Sequence, residues 1–168
     1  METDIIISGK LEPSEEDSST LRNTIRTYRD VCNFISKIAY NESCFNSVAL
    51  HHLTYKEVRL KYNLPANLAI RARDKVVLTY KKNKKKLHVF KKLSIDLDSR
   101  LLSISLSDED VVLSIATIKK RIKSKLLMDP SKKEFLKQPI VKAKLTLETN
   151  KFFMNIVVRP MSGNGITK

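Results

Sequence analysis

Hydrophobic residues recur at steps of three and four along the first part of the chain. A short β-rich run, 4-DIIISGKL-11, is followed by Pro13 and Ser14 and then by an apolar stripe made of Leu21, Ile25, Tyr28, Cys32, Ile35 and Ala39. This spacing is typical of one face of an amphipathic α-helix. Ser14 and Asp17 stand at capping-box spacing before it. The pattern predicts a strand and then a helix over residues 15–40 that packs against a partner.

A second helical region is predicted after a loop at residues 41–46. Thr54 and Glu57 have capping-box spacing, which predicts a short helix through Leu60. Pro65 fits the first turn of another helix, because its missing N–H is not needed there and its φ is already helical. The apolar side of this helix would consist of Leu64, Leu68, Ala72, Val76 and Tyr80.

The other side of the same helix carries polar residues. Asn67, Arg71 and Lys75 follow one another at steps of four, so their side chains would project together over about three turns. Such a stripe is consistent with a solvated helix face and equally with a surface that contacts a polyanion.

From Leu93 onwards the helical period gives way to alternating or short apolar runs. These predict strands at residues 93–97, 100–106, 111–116, 140–148 and 152–159. Thr149, Asn150 and Lys151 would form a hairpin turn, and residues 130–139 a short helix or turn. The order of strand, helical block and antiparallel strands fits one small β-barrel with a helical insertion after its first strand. Separate helical and β domains would fit it too.

Charge narrows the choice of partner. The 168 residues are enough for one domain or two small modules, and 32 Lys and Arg against 18 Asp and Glu give a net charge of +14. This balance favours nucleic acid as the first partner to consider and an anionic membrane surface as the second. A basic protein with neither partner is the remaining possibility.

The positive charge is concentrated in one part of the chain. Residues 56–92 hold thirteen basic residues and only two acidic ones, Glu57 and Asp74. We expect a groove that tracks phosphates, although a solvated basic tail is the alternative. The lysines and arginine expected to contact the nucleic-acid backbone are Lys81, Lys82, Lys84, Lys85, Lys86, Lys91, Lys92, Lys119, Lys120, Arg121, Lys123 and Lys125.

Metal, redox and membrane chemistry are not indicated by the sequence. Cys32 and Cys44 cannot complete a four-ligand zinc site, and the three histidines lack zinc-finger spacing. Cys32 lies on the apolar stripe, which favours a buried reduced thiol. No apolar run reaches the roughly 18 residues of a membrane span, and no secretory signal is recognisable. We therefore expect a cytoplasmic protein without a cofactor.

Four segments in serial order resemble a known family. They are 4-DIIISGKLEPSEEDSSTLRNTIRTYRDVCNFI-35, 53-LTYKEVRLKYNLPANLAIRARDKVVLTYKK-82, 99-SRLLSISLSD-108 and 142-KAKLTLETNKFFMNIVVR-159. The chain up to about Arg159 resembles the N-terminal half of TnpB-type (OrfB-type) transposon proteins, which are RNA-guided nucleases related to the type V CRISPR effectors.

The resemblance implies an α+β fold. Residues 1–12 and 93–160 would form a small antiparallel wedge β-barrel, residues 13–92 a helical recognition insert that ends in a basic linker, and residues 161–168 an irregular tail. The implied partners are a guide-type RNA and double-stranded DNA. Sequence beyond a short DNA motif would be read by RNA–DNA pairing. The product would lie in a prokaryotic cytoplasm, at the nucleoid when DNA-bound.

Within that frame four residues are expected to bind the DNA at the motif: Tyr55, Asn67, Arg71 and Lys75. Asn67 and Arg71 would approach base edges or nearby phosphates, because Asn can pair with adenine and Arg with guanine in bidentate fashion. Tyr55 would stack or contact a sugar. Lys75 and the backbone-contacting residues would neutralise phosphates, which fixes register without specifying sequence.

The sequence also departs from the family pattern. In the family, the hairpin that corresponds to residues 140–159 leads into a RuvC-like nuclease domain and later a zinc ribbon, whereas here 160-PMSGNGITK-168 follows. The local carboxylates 108-DED-110 are predicted to form a solvated turn and no metal site. Two-metal hydrolysis needs convergent carboxylates, so we expect no nuclease activity from the chain alone.

Other roles stay open at this point. The chain could be one subunit of a split nuclease whose RuvC-like half is another polypeptide, in which case apolar strand edges near residues 152–159 should be exposed. It could equally be a truncated transposon remnant, or a stand-alone DNA-binding regulator that uses no RNA.

Overall fold

The computed structural model describes residues 3–161. It has an α+β fold in which a helical block follows the first strand and a seven-stranded antiparallel sheet curls into a half barrel, which confirms the predicted fold class. Internal contacts divide the described residues into two units. The sheet unit comprises residues 3–18, 96–116 and 121–161, and the helical unit comprises residues 19–95 and 117–120.

The long first helix, α1 (Glu15–Asn41), begins and ends close to its predicted bounds. The Ser14 hydroxyl accepts the Asp17 N–H at 3.1 Å, so one of the unpaired donors of the first turn is satisfied. Glu15, Glu16 and Asp17 place negative charge at the positive end of the helix dipole. All six residues of the predicted apolar stripe are buried.

The second helix, α2 (Ser47–Glu57), begins earlier than predicted. Its N-cap is Asn46, whose side-chain oxygen accepts the N–H groups of Val48 and Ala49 at 2.9 and 3.1 Å. Thr54 is therefore no cap, and the predicted capping box is wrong. The buried hydroxyl of Thr54 donates instead to the carbonyl of Leu50 one turn earlier, at 2.7 Å.

A π-helical turn, Val58–Tyr62, ends α2, and Asn63 reverses the chain with a φ of 54°. The third helix is α3 (Ala66–Lys82), with Pro65 as its N-cap. Pro65 thus lies just before the first turn, because its ψ of 149° is extended although its φ of −55° is helical. The predicted apolar stripe of α3 is buried throughout.

Seven strands form the sheet. They are β1 (Ile5–Glu12), β2 (Ser94–Leu97), β3 (Leu102–Leu106), β4 (Val111–Ile115), β5 (Ile122–Met128), β6 (Ile140–Glu148) and β7 (Lys151–Val158). Their order is β2-β6-β7-β1-β5-β4-β3. A 3₁₀ helix, Pro130–Lys137, occupies the region that was predicted as a short helix or turn.

Strand β5 was not among the predicted strands. It pairs antiparallel with β1 and with β4, and its residues alternate between buried and exposed from Ile122 to Leu126. Its inward positions include Ser124, a polar residue, and the outward positions between Ile122 and Leu126 are Lys123 and Lys125. The basic character of this stretch therefore concealed its two-residue period.

The C-terminal hairpin has the predicted turn. Thr149 and Asn150 have φ values of 51° and 61°, and Glu148 pairs with Lys151 across the turn. Two consecutive positive φ values match the twist of a two-residue hairpin loop. Strand β7 pairs with β6 on one side and β1 on the other. The exposed apolar edge expected near residues 152–159 is therefore absent, and the split-nuclease alternative loses the observation that motivated it.

A search of the described helices for a stretch that could cross a bilayer found none of sufficient length and apolarity.

Candidate functional site

The most basic stretch of the helical unit is residues 81–92, the lysine segment. Lys81 and Lys82 lie in the last turn of α3, and an irregular, partly extended stretch follows them. The segment holds seven lysines, and no Asp or Glu occurs between residues 75 and 95. All seven side chains are exposed, and within residues 3–161 none of them forms an ion pair: Lys81, Lys82, Lys84, Lys85, Lys86, Lys91 and Lys92.

The backbone of the lysine segment is fixed to α1 although it has no regular secondary structure. The side-chain amide of Asn33 donates to the carbonyl of Phe90 at 3.0 Å, and its oxygen accepts the Phe90 N–H at 2.6 Å. This two-way bond satisfies both backbone groups of Phe90, much as a neighbouring strand would. It joins residues that are 57 positions apart in sequence.

A second anchor lies near the middle of the segment. The Tyr80 hydroxyl donates to the carbonyl of Ser36 at 3.0 Å and accepts the N–H of His88 at 3.2 Å. The Ser36 hydroxyl donates to the His88 carbonyl and lies 2.8 Å from the Tyr80 hydroxyl. Because Ser36 and Tyr80 are fully buried, each of these bonds would leave an unsatisfied group behind if it broke.

The turn at the start of the segment is held by Asn83. Its side-chain oxygen accepts the N–H of Lys85 at 2.9 Å, and its carbonyl lies 2.6 Å from Nε2 of His88. Asn33, Ser36, Tyr80 and Asn83 together hold the chain at three places. The lysines therefore extend from a backbone that is already ordered, so binding a polyanion would cost little further backbone entropy.

The four predicted motif-reading residues lie on α2 and α3, and they differ in their exposure and in the contacts that their side chains make. Asn67 is exposed in the first turn of α3. Tyr55, on α2, stacks on His51 with ring centroids 4.4 Å apart, and its hydroxyl accepts a hydrogen bond from Arg59 at 3.0 Å. One face of the Tyr55 ring is thus covered by a neighbour of the same helix.

Arg71 and Lys75 are only partly exposed. The Arg71 guanidinium lies 3.8 Å from the Asp74 carboxylate, which is also paired with Arg73 at 2.8 Å. The buried Nε of Arg71 has no hydrogen-bond partner among the described residues. The ammonium of Lys75 donates to the Ser94 hydroxyl at 3.4 Å and lies 5.8 Å from the ring centroids of Tyr28 and Phe90. Lys75 therefore contacts the helical unit itself, in addition to sharing a flank of α3 with Asn67 and Arg71.

The other lysines that were predicted to contact the nucleic-acid backbone lie in two places. Lys119 and Lys120 are exposed in a turn that belongs to the helical unit, where the Ile118 N–H donates to the Thr24 hydroxyl at 3.2 Å. Lys123 and Lys125 are exposed on β5 in the sheet unit, and Lys125 pairs with Asp110 at 3.4 Å.

The Arg121 guanidinium is already hydrogen-bonded to neighbouring residues of the protein. Its guanidinium donates to the Ser114 hydroxyl at 3.0 Å, to the Ser114 carbonyl at 3.1 Å and to the Arg100 carbonyl at 2.9 Å. These three bonds use three nitrogens of the guanidinium, so Arg121 holds β4 and the turn before β3 in place.

His51 is the titratable group of α2 whose environment is most distinctive. Burial, the nearby Arg73 guanidinium and His52 together lower the pKa of His51 from its ordinary value of 6.5. Arg73 lies 3.0 Å from Nδ1, which fits a neutral ring that accepts the hydrogen bond.

The sequence did not single out the residues that fix the lysine segment. Asn33 lies within residues 4–35, which were quoted only for the family resemblance, Tyr80 was predicted only as an apolar-stripe residue of the third helix, and Ser36 was not named. The sequence contained one signal, since Ser36 follows Cys32 of the predicted apolar stripe by four residues, and in the structure this serine is fully buried. Its partners, however, are 44 and 52 positions away, and no short-range pattern identifies them.

Acidic and metal-ligating side chains do not converge in the described part of the chain. A search of residues 3–161 found no group of three or more His, Cys, Asp or Glu side chains that could hold a metal ion. Asp108, Glu109 and Asp110 form the turn between β3 and β4, as predicted, and the Asp110 N–H donates to the Ser107 hydroxyl at 3.1 Å.

Compared with known proteins, the chain matches no protein-family model and no curated protein.

Proposed function

We propose that this protein binds nucleic acid through the lysine segment. The observation that carries the proposal is the set of seven exposed lysines that form no ion pair with any residue from 3 to 161, on a backbone held by Asn33, Ser36, Tyr80 and Asn83. Clustered like charges repel one another within the Debye length of about 8 Å at physiological salt. A bound polyanion would remove this repulsion and release condensed counterions, which is the main source of affinity in such complexes.

The arrangement favours a nucleic acid over an anionic membrane. Binding to a membrane surface typically uses an amphipathic helix whose apolar face enters the bilayer. Here five of the seven lysines lie on an irregular segment, and α3 buries its apolar stripe inside the helical unit. An irregular, partly extended segment can follow a line of phosphates more closely than it can follow the planar surface of a membrane.

A salt titration tests this proposal. Purified protein, treated with nuclease to remove carried-over nucleic acid, is titrated into a fluorescent oligonucleotide between about 50 and 200 mM salt. We expect the logarithm of the affinity to fall linearly with the logarithm of the salt concentration, with a slope of several units. Failure to bind at the lowest salt, or stronger binding to anionic lipid vesicles than to either RNA or DNA, would contradict the proposal.

The resemblance to TnpB-type proteins extends the proposal to a specific nucleic acid. We propose that the natural ligand is a guide-type RNA, that double-stranded DNA is the second partner, and that the chain binds without cutting. Four residues would then read the DNA motif: Tyr55, Asn67, Arg71 and Lys75.

Sequencing of the RNA that co-purifies with the protein tests the extension. A discrete RNA from the 3′ flank of the gene supports it, and a random mixture contradicts it while leaving nucleic-acid binding in place.

A further inference from the structure

Phe45 lies next to the lysine segment in a loop that is held at both ends. On one side the Cys44 N–H donates to the Ala39 carbonyl at 2.9 Å, which closes the end of α1. On the other side Asn46 caps α2. Phe45 is only half-buried, so a large apolar ring is kept at a fixed place near the surface of the helical unit.

The Phe45 ring lies at one end of a series of three aromatic rings. It packs on Tyr80 with centroids 5.1 Å apart and a tilt of 37°, and Tyr80 meets the ring of His88 edge-on at 4.7 Å. Tyr80 is completely buried, and its hydroxyl is one of the anchors of the lysine segment. The series therefore places an accessible ring against the same residues that fix the lysines.

A lysine of the segment lies over this ring. The Lys84 ammonium is 5.8 Å from the Phe45 centroid, and the Lys84 side chain is exposed. The half-buried Phe45 ring therefore holds an exposed cation by a cation–π contact, which is weak where water competes. Stacking of a nucleobase on an aromatic ring is stronger, and the displaced ammonium would be better satisfied by the adjoining phosphate.

Two apolar side chains of the segment are also open to solvent. Leu87 and Val89 are 43% and 60% exposed, although they flank the anchored residue His88 and Val89 precedes the anchored Phe90. Phosphates do not need apolar side chains, and a regular duplex presents phosphates at its surface while its bases stack inside. Unpaired bases have faces that can contact both Leu87 and Val89.

We infer that the lysine segment binds a single-stranded stretch of nucleic acid, with one unpaired base stacked on Phe45 in place of the Lys84 ammonium. This inference rests on the proposed function and deepens it. The lysines supply affinity for the phosphates, and Phe45 supplies a preference for a strand that still carries its bases.

The test compares three probes of equal length, about a dozen nucleotides. They are an oligothymidine, the same backbone with abasic sites throughout, and a duplex. We expect the wild-type protein to bind oligothymidine about 5- to 150-fold more tightly than the abasic strand, and more tightly than the duplex. We expect Phe45→Leu to lose this preference for bases and to bind the abasic strand as the wild type does.

Two further variants separate stacking from folding. Phe45→Tyr keeps a ring at the position and should keep the base preference, whereas Phe135→Leu removes an exposed ring from the 3₁₀ helix and should leave all three affinities unchanged. A merely structural role for Phe45 would weaken binding of the abasic strand and of oligothymidine by the same factor, and would overturn the inference.

The outcomes also separate the inference from the proposed function. Equal binding of oligothymidine and the abasic strand by the wild type, or tighter binding of the duplex, overturns the stacking inference while nucleic-acid binding stands. Absence of binding to every probe overturns both.

Discussion

The Tyr80 hydroxyl joins α3, α1 and the lysine segment through contacts with the backbone of Ser36 and His88. Tyr80→Phe removes this hydroxyl, so the His88 N–H loses its acceptor and the buried Ser36 hydroxyl and carbonyl each lose one hydrogen-bond partner. We expect the free energy of unfolding to fall by about 1–3 kcal/mol. We also expect the amide of His88 to exchange its hydrogen faster, because its acceptor is gone.

The matched control for this change is Tyr40→Phe. Tyr40 is 39% exposed on α1, so its hydroxyl can bond to water in either state. Urea unfolding and amide hydrogen exchange measure both variants. A Tyr80→Phe protein as stable as Tyr40→Phe, with an equally protected His88 amide, would contradict the anchoring role of Tyr80.

His51 gives the stability of the protein a specific pH dependence. Because burial, Arg73 and His52 lower the pKa of His51 in the folded state, the unfolded chain binds this proton more readily. The stabilisation is present above the ordinary value of 6.5 and is lost as the pH falls through the lowered pKa. We expect His51→Gln to reduce the loss of stability between about pH 8 and about pH 5, since glutamine can still accept from Arg73 and does not titrate.

Urea unfolding midpoints at the two pH values measure this effect. His52→Gln, which changes the exposed neighbour on α2, serves as the control and should keep the wild-type pH dependence more closely. An unchanged pH dependence in His51→Gln would show that His51 does not account for the loss of stability over this pH range.

Strand β5 leaves no room for a side chain at Gly9 of strand β1. A Cβ at this position would lie 2.7 Å from the Leu127 carbonyl oxygen and 2.7 Å from a methyl carbon of Leu126. The first of these is backbone and cannot move without shifting the strand. We expect Gly9→Ala to lower the free energy of unfolding by about 1–3 kcal/mol.

The neighbouring residue provides the control for Gly9→Ala. Ser8 is exposed, and its hydroxyl donates to the side chain of Asn155 at 2.7 Å. Ser8→Ala should change the free energy of unfolding by about 0.5 kcal/mol or less. Thermal unfolding measures the stability of both variants. Equal losses of stability would contradict the prediction, because they would mean that β1 and β5 can move apart at Gly9 without a cost in free energy.

Some elements could be predicted from the sequence because their signals are local. The stripe and the Ser14 cap of α1 lie within one helix, and the turn at Thr149 and Asn150 lies within one hairpin. The start of α2 was misplaced because Thr54 and Glu57 imitate a capping box while the true cap is Asn46. Strand β5 was missed because a buried serine and outward lysines hid its alternation.

The candidate site was only half predictable. Its lysines are visible as a run in the sequence, but the residues that order them are far away along the chain. Asn33 bonds Phe90 across 57 positions, and Phe45 contacts Tyr80, which lies beyond α2 at the end of α3. Such contacts depend on tertiary packing. The spacing of hydrophobic residues predicts helices and strands, but it does not show which individual side chains will meet.

The whole molecule carries a net charge of +14, so some attraction to any polyanion is expected without a specific site. The proposed function requires more than this general attraction, because it assigns the binding surface to the ordered lysine segment. Two variants with the same net charge separate these possibilities. The first neutralises Lys84, Lys85 and Lys86 to Gln, and the second neutralises Lys132, Lys142 and Lys151, which are exposed in the sheet unit.

The salt dependence of oligothymidine binding by these two triple variants tests most directly whether the lysine segment is the binding surface. Each phosphate contact contributes about 0.7 to the slope for a single strand, so the segment variant should bind with a slope about 2 units flatter than the wild type. The sheet-unit variant should keep the wild-type slope. Equal flattening in both variants would show that net charge, and not the lysine segment, binds the nucleic acid.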